Sequence, residues 1–230
     1  MWNFGHPVQK IGFTLFLLGV FSHLLSAQSP DLSKLKAHGP PIPAEMLLGN
    51  RQLYYQTTAK KNFTPAGDLG FFSLATYTAD YNNDLAENRL LIEAQFSYTI
   101  KKGFGIMAGT DINSVTGFAP IMGPQHTYAS RQILSVTILS FFVNEKNDVK
   151  LFGLYEYKPP IGNGLVLYNR LQFIYNHSLK ESVHNRSYVY LRSGVKTGAF
   201  VFGLGANLDW FAPTKDFKGN YGTFIRWEFD

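Results

Sequence analysis

Ser178 stands beside His177, with Glu181 three residues further on. These are the residue types of a nucleophile, its general base and a carboxylate that orients the base. Adjacent residues of a strand point to opposite faces, however, and a cooperating pair there is spaced two apart. The spacing therefore favours solvated loop residues over a catalytic set. Gly103-Phe-Gly105-Ile-Met-Ala-Gly109 has the glycine content of a phosphate-cradling loop. Its spacing is one residue too long, and a strand pattern continues where a helix should start. His38, His126, His177 and His184 are not spaced as paired helical ligands, and the chain has no cysteine. Neither a metal site nor a cofactor is expected.

Charged side chains follow a more regular rule. Arg89, Glu93, Asp111, Lys150, Glu156, Arg170, Arg192, Lys196, Asp209, Arg226 and Glu228 all fall on the polar faces of alternating segments. Acids and bases nearly balance among them. In a narrow interior, isolated charges would be costly to desolvate, so these groups are expected to pair across the lumen. Balanced pairs predict a filled barrel; an open conduit would show a bias of sign. A narrow porin-like channel for small solutes is the alternative.

The positioning elements are period-2 runs. In 89–100, Leu90, Ile92, Ala94, Phe96, Tyr98 and Ile100 share one face, opposite Arg89, Glu93, Gln95, Ser97 and Thr99. Only Leu91 is out of place. The same rhythm recurs in 103–113, 131–143, 149–157, 165–175, 188–196, 199–210 and 219–229, with weaker runs at 68–79 and 51–58. The runs are roughly 9 to 13 residues long, whereas globular strands average about 5 to 6. A tilted membrane strand needs about 9 to 11. The fold class expected is an all-β, antiparallel up-and-down transmembrane barrel of about eight to ten strands. One tension attends that count. With both termini on one side, 114–129 becomes a long loop on the terminus side and the tight Lys101-Lys102 turn faces the other way. A hidden strand within 114–129 would repair it.

Aromatics make up 16% of the residues and charged groups 16%, against about 25% charged in ordinary soluble domains. Large amphipathic rings close the apolar faces: Tyr98, Tyr157, Tyr175, Trp210, Tyr221 and Trp227. Their apolar bodies and hydrogen-bonding rims suit an interfacial girdle. The apolar faces are therefore assigned to lipid. A lipocalin-like soluble barrel would turn the same faces inward.

At the amino terminus, Lys10 precedes a short apolar run, and Ser26-Ala27-Gln28 offers a cleavage point, so 1–27 reads as an export signal. Residues 28–49 hold Pro30, Pro40, Pro41 and Pro43 and read as a periplasmic leader or plug ahead of a barrel spanning 50–230. The net charge of +5 is spread without a long basic block, and no nucleic-acid partner is expected.

The signal, the strand rhythm and the closing run Asn220–Phe229 resemble small outer-membrane β-barrel proteins of Gram-negative bacteria, with a Bacteroidota look around Leu25-Ser-Ala-Gln28. That resemblance implies an outer-membrane address, a monomer in contact with outer-membrane lipid, and recognition of the last strand by the barrel-assembly machinery. Asp230 departs from the pattern by following the terminal aromatic. His177-Ser178 with Glu181 faintly resembles outer-membrane lipid A deacylases, although Leu179 stands where those enzymes have asparagine. The expected role is structural or as an envelope interaction protein, acting through loops 114–129 and 176–186. A lipid-modifying enzyme with a rim site near His177 is the enzymatic alternative.

Overall fold

The structure, a computed structural model, describes residues 41–229 apart from 65, 66, 83 and 86. The expected signal and the first part of the expected leader lie outside the described residues. Thirteen strands follow in order: β1 Ile42–Gly49, β2 Gln52–Asn62, β3 Leu69–Asp80, β4 Arg89–Lys101, β5 Phe104–Asn113, β6 Gly117–Ala129, β7 Ile133–Phe142, β8 Asp148–Tyr157, β9 Pro160–Gly162, β10 Leu165–Ser178, β11 Val183–Thr197, β12 Phe200–Phe211 and β13 Asp216–Phe229.

Each long strand pairs antiparallel with its sequence neighbours, and β1 pairs with β13 from Ile42↔Phe229 to Gly49↔Gly222. Twelve strands thus close a ring. The three-residue β9 adds a side pairing to β10 within the β8–β10 connection. Closure leaves no ladder edge of the ring unpaired, which a lipid-immersed sheet requires.

The strand number corrects the expectation of eight to ten, and three local readings change with it. Residues 42–49 belong to the barrel wall rather than to a leader, so the barrel starts before position 50. The supposed loop 114–129 is mostly β6. The supposed loop 176–186 shrinks to the turn 179–182 between β10 and β11. With β6 restored, the turn at Lys102 lies at the terminus end, together with Ile42 and Phe229. Lys102 and Gly103 take positive φ of 50° and 81°, and this two-residue turn matches the twist of the flanking strands.

Side chains alternate across the wall as the sequence pattern requires. Leu90, Phe96, Tyr98, Phe202, Leu204 and Ile225 are exposed on the outside. The rings expected to form a girdle fall at two levels of that surface. Tyr98, Tyr157 and Trp227 lie near strand ends at the terminus end; Tyr175, Trp210 and Tyr221 lie towards the opposite, loop end. Trp227 stacks on Phe200 with ring centroids 6.1 Å apart.

Inside, the barrel departs from a purely charged lumen. Tyr54, Tyr168, Tyr188, Phe152, Leu47, Leu74, Ile121 and Ile138 are buried there with Gln95, Gln172, Glu45 and Glu93. A ring of twelve strands encloses more volume than one of eight, so large rings are needed to fill it. Phe224, out of step with the outward aromatics of β13, is one of these lumen fillers and is 3% exposed.

Candidate functional site in the barrel interior

Polar contacts form a ladder along the lumen. At the terminus end, Lys196 pairs with Glu228, whose Oε1 accepts from Arg226 Nε at 3.0 Å. Arg226 Nη1 also lies 3.1 Å from Glu156 Oε1. Glu156 in turn accepts from Lys158 Nζ and from the Tyr168 hydroxyl, both at 2.9 Å. Deeper in, Glu45 Oε1 accepts from Arg170 Nη2 at 2.6 Å and from Arg192 Nε at 2.8 Å. Arg192 Nη1 donates to Asn207 Oδ1 at 2.8 Å. Arg170 Nε and Nη1, Arg192 Nη2 and Glu45 Oε2 are buried without a protein partner.

Amides and phenols continue the ladder. Tyr54 donates to Gln56 Oε1 at 2.6 Å, Gln56 Nε2 to Gln172 Oε1 at 3.0 Å, and Gln172 Nε2 to the Tyr188 hydroxyl at 2.9 Å. Tyr188 stacks on Tyr190 at 4.0 Å, and Tyr190 meets Tyr54 edge-on at 5.2 Å. On the facing wall Lys150 reaches across to Glu93 and to Asp111, the latter at 2.6 Å. Near the loop end Arg186 Nη2 contacts Asp209 Oδ1 at 2.6 Å, and Tyr190 hydrogen-bonds the same carboxylate.

Of the charges assigned to the lumen, the structure groups Glu93, Asp111 and Lys150 in one cluster and Glu156, Arg226, Glu228 and Lys196 in another. Arg170 and Arg192 meet at Glu45, a residue that sequence reasoning left in the leader. Asp209 meets Arg186, which had been placed in a loop. Arg89 has no carboxylate within ion-pairing distance among the described residues and sits over the Phe211 ring at 4.0 Å. The signal for Glu45 was present: Ala44, Met46 and Leu48 alternate with Pro43, Glu45 and Leu47, but the prolines masked it.

The His177–Ser178 set that the enzymatic alternative would need is not assembled. His177 is part-exposed, whereas Ser178 is fully buried and donates to the Lys146 carbonyl at 3.1 Å. Glu181 pairs with Lys146 in the turns. A different pair does meet: His184 Nε2 and Ser187 Oγ are 3.0 Å apart. Tyr175 packs against His184 at 5.6 Å. Ser187 stands opposite Tyr175 and Trp210 on the neighbouring strands.

The packed middle separates two openings. One, at the terminus end, has a volume of about 270 Å³ and is walled by Lys60, Asn62, Ser97, Thr99, Gln125 and Thr127. The other, at the loop end, comprises a recess of about 120 Å³ beside Arg89, Asn113 and Asn185, and a smaller one of about 20 Å³ beside Arg51 and Lys218. Among the described residues no group of His, Cys, Asp or Glu could hold a metal ion.

No protein-family model matches the chain, and no curated protein does. Among solved structures it is similar to a KdgM porin, with 10% identity over 82% of this chain and 99% of the porin, at a TM-score of 0.47. A KdgM porin in complex with disordered oligogalacturonate gives 10% identity, the same coverage and a TM-score of 0.46. A loop-deletion mutant of OmpT, an outer membrane protein of Vibrio cholerae, gives 9% identity over 82% of this chain and 96% of that one, at 0.32. This likeness extends to no residue, ligand or activity.

Proposed function

We propose that the chain is an outer-membrane barrel closed by its own side chains, acting as a structural or interaction element of the envelope rather than as an open pore. One observation carries the reading: Tyr54, Tyr168 and Tyr188 are fully buried in the lumen, Tyr54 and Tyr188 joined through Gln56 and Gln172 and Tyr168 bound to the ion-paired Glu156. The exposed apolar wall, with those rings at two levels, supports placement in a bilayer. Apart from 81–88 between β3 and β4, the connections at the loop end are short turns, so a partner would meet the rim rather than long loops. Planar-bilayer recording tests the closed state directly. No steady conductance is expected, and large ion-selective steps would replace this reading with a porin-like channel.

A second reading rests on the His184–Ser187 pair beside Tyr175, a nucleophile and base at hydrogen-bond distance where lipid headgroups would meet the wall. Under this reading the barrel modifies lipid. Overexpression would then shift lipid A or phospholipid masses, and Ser187→Ala would abolish the shift. Unchanged lipid mass spectra would remove the enzyme reading.

A further inference from the structure

Three cations crowd one ring at the loop end. Arg89, Arg186 and Lys218 lie 4.0, 5.2 and 5.7 Å from the centroid of Phe211. Their carboxylates do not match them in number. Arg186 holds Asp209, and Lys218 holds Glu87. Among the described residues Arg89 has no carboxylate within ion-pairing distance, and it shares Glu87 and Asp209 only at longer range. The acids that face its recess are already engaged: Asp111 by Lys150 and Asn113, and Asp148, just behind Asn185, by Asn144 and Asn185. Three cations thus share two carboxylates around this ring, and Arg89, the one without a direct ion pair, faces the open recess.

We propose that Arg89 binds a small oxyanion, a phosphate or carboxylate group, in the loop-end recess bounded by Asn113, Thr116, Asn176, Asn185 and Phe211. The recess volume of about 120 Å³ equals about four waters of bulk liquid. That is room for one such group with little accompanying water. Phe211 covers part of the guanidinium and leaves other N–H groups for a forked contact, the geometry that arginine provides and lysine does not. Partial burial weakens competition from solvent, and the anion relieves the repulsion among the three cations. The same group could arrive as a free ion or on the headgroup of a lipid. The inference concerns the loop-end mouth alone and stands whether or not the barrel conducts.

The test is calorimetric titration of inorganic phosphate, and in parallel acetate, into the folded protein in neutral detergent. Heat-modifiable gel migration checks that each variant is folded. Saturable phosphate binding is expected, weakened about tenfold or more by Arg89→Gln, since a hydrogen-bonded charge contact contributes about 1.5–3 kcal/mol. Arg89→Lys should fall between the two, and Arg131→Gln, in the turn at the far end, should bind as wild type. Repeating the titration in vesicles separates the sources. Binding in phosphatidylcholine but not in phosphatidylglycerol assigns the site to a lipid headgroup; equal binding in both assigns it to a free anion. Absence of saturable binding to the wild-type protein overturns the proposal. So does wild-type affinity in Arg89→Gln, or an equal loss in Arg131→Gln.

Discussion

Glu45 and Arg192, 147 positions apart in the chain, meet at 2.8 Å inside the barrel, with Glu45 1% and Arg192 2% exposed. Arg170 shares the same carboxylate oxygen at 2.6 Å. Removing Glu45 would strand two guanidinium groups in the lumen. Breaking a buried pair from one side costs about 3–5 kcal/mol. Glu45→Ala should therefore lower the urea midpoint of the membrane-inserted protein sharply, and an unchanged midpoint would show that solvent reaches this layer.

The outward face carries a separate prediction. Leu204 is 70% exposed near the middle of its strand. Leu204→Arg should cost about 2–4 kcal/mol in a bilayer, read from reversible unfolding in vesicles. Val201→Arg should fail by another route, because Val201 is fully buried and stands opposite Lys196 and Arg226 in the ladder. If Leu204→Arg folds into vesicles as readily as wild type, hydrocarbon does not bathe this face.

Gly205 allows three strands to pack together. A Cβ there would lie 2.9 Å from both Arg192 Cδ and Leu47 Cδ1. Gly205→Ala must push Arg192 away from Glu45, and overpacking of this kind costs about 1–3 kcal/mol. Thermal unfolding in detergent micelles should show the loss, and combining it with Glu45→Ala should add less than the sum of the two.

The closed lumen also has a direct electrical test. Truncating Tyr54 and Tyr188 together removes two of the largest fully buried side chains and breaks the amide bridge through Gln56 and Gln172. The double variant Tyr54→Ala/Tyr188→Ala should conduct in planar bilayers where wild type does not. A silent double variant would mean that the charge clusters alone suffice to block the barrel.

Much of the wall was legible because one physical rule governs it: outward positions must be apolar and inward ones must find partners. Arg89–Lys101 and Phe200–Phe211 follow that rule almost without exception. β6 escaped because Pro120 and Pro124 argue against a strand. The structure accommodates them by irregular pairing: the β6–β7 ladder is interrupted at Gly123 and Pro124, where a Cβ on Gly123 would strike the Leu139 carbonyl at 1.9 Å. β1 was masked by Pro40, Pro41 and Pro43, and with it Glu45. The interior was harder to foresee. Inward aromatics such as Phe224 read as errors in the alternation, although they fill a lumen whose width depends on a strand count that the pattern alone left short. Which charges meet depends on the same count, since partners come from strands far apart in the chain.

The seam between β1 and β13 sets an order of events. Met46 faces Ile225 and Leu48 faces Thr223 across it, residues of the first and last described strands. The cylinder therefore stays open until its final segment has arrived, and every earlier stage is a curved sheet with two bare rims. A chain stopped before β13 would not make a smaller tube but a gutter, with a row of unpaired amides along each rim.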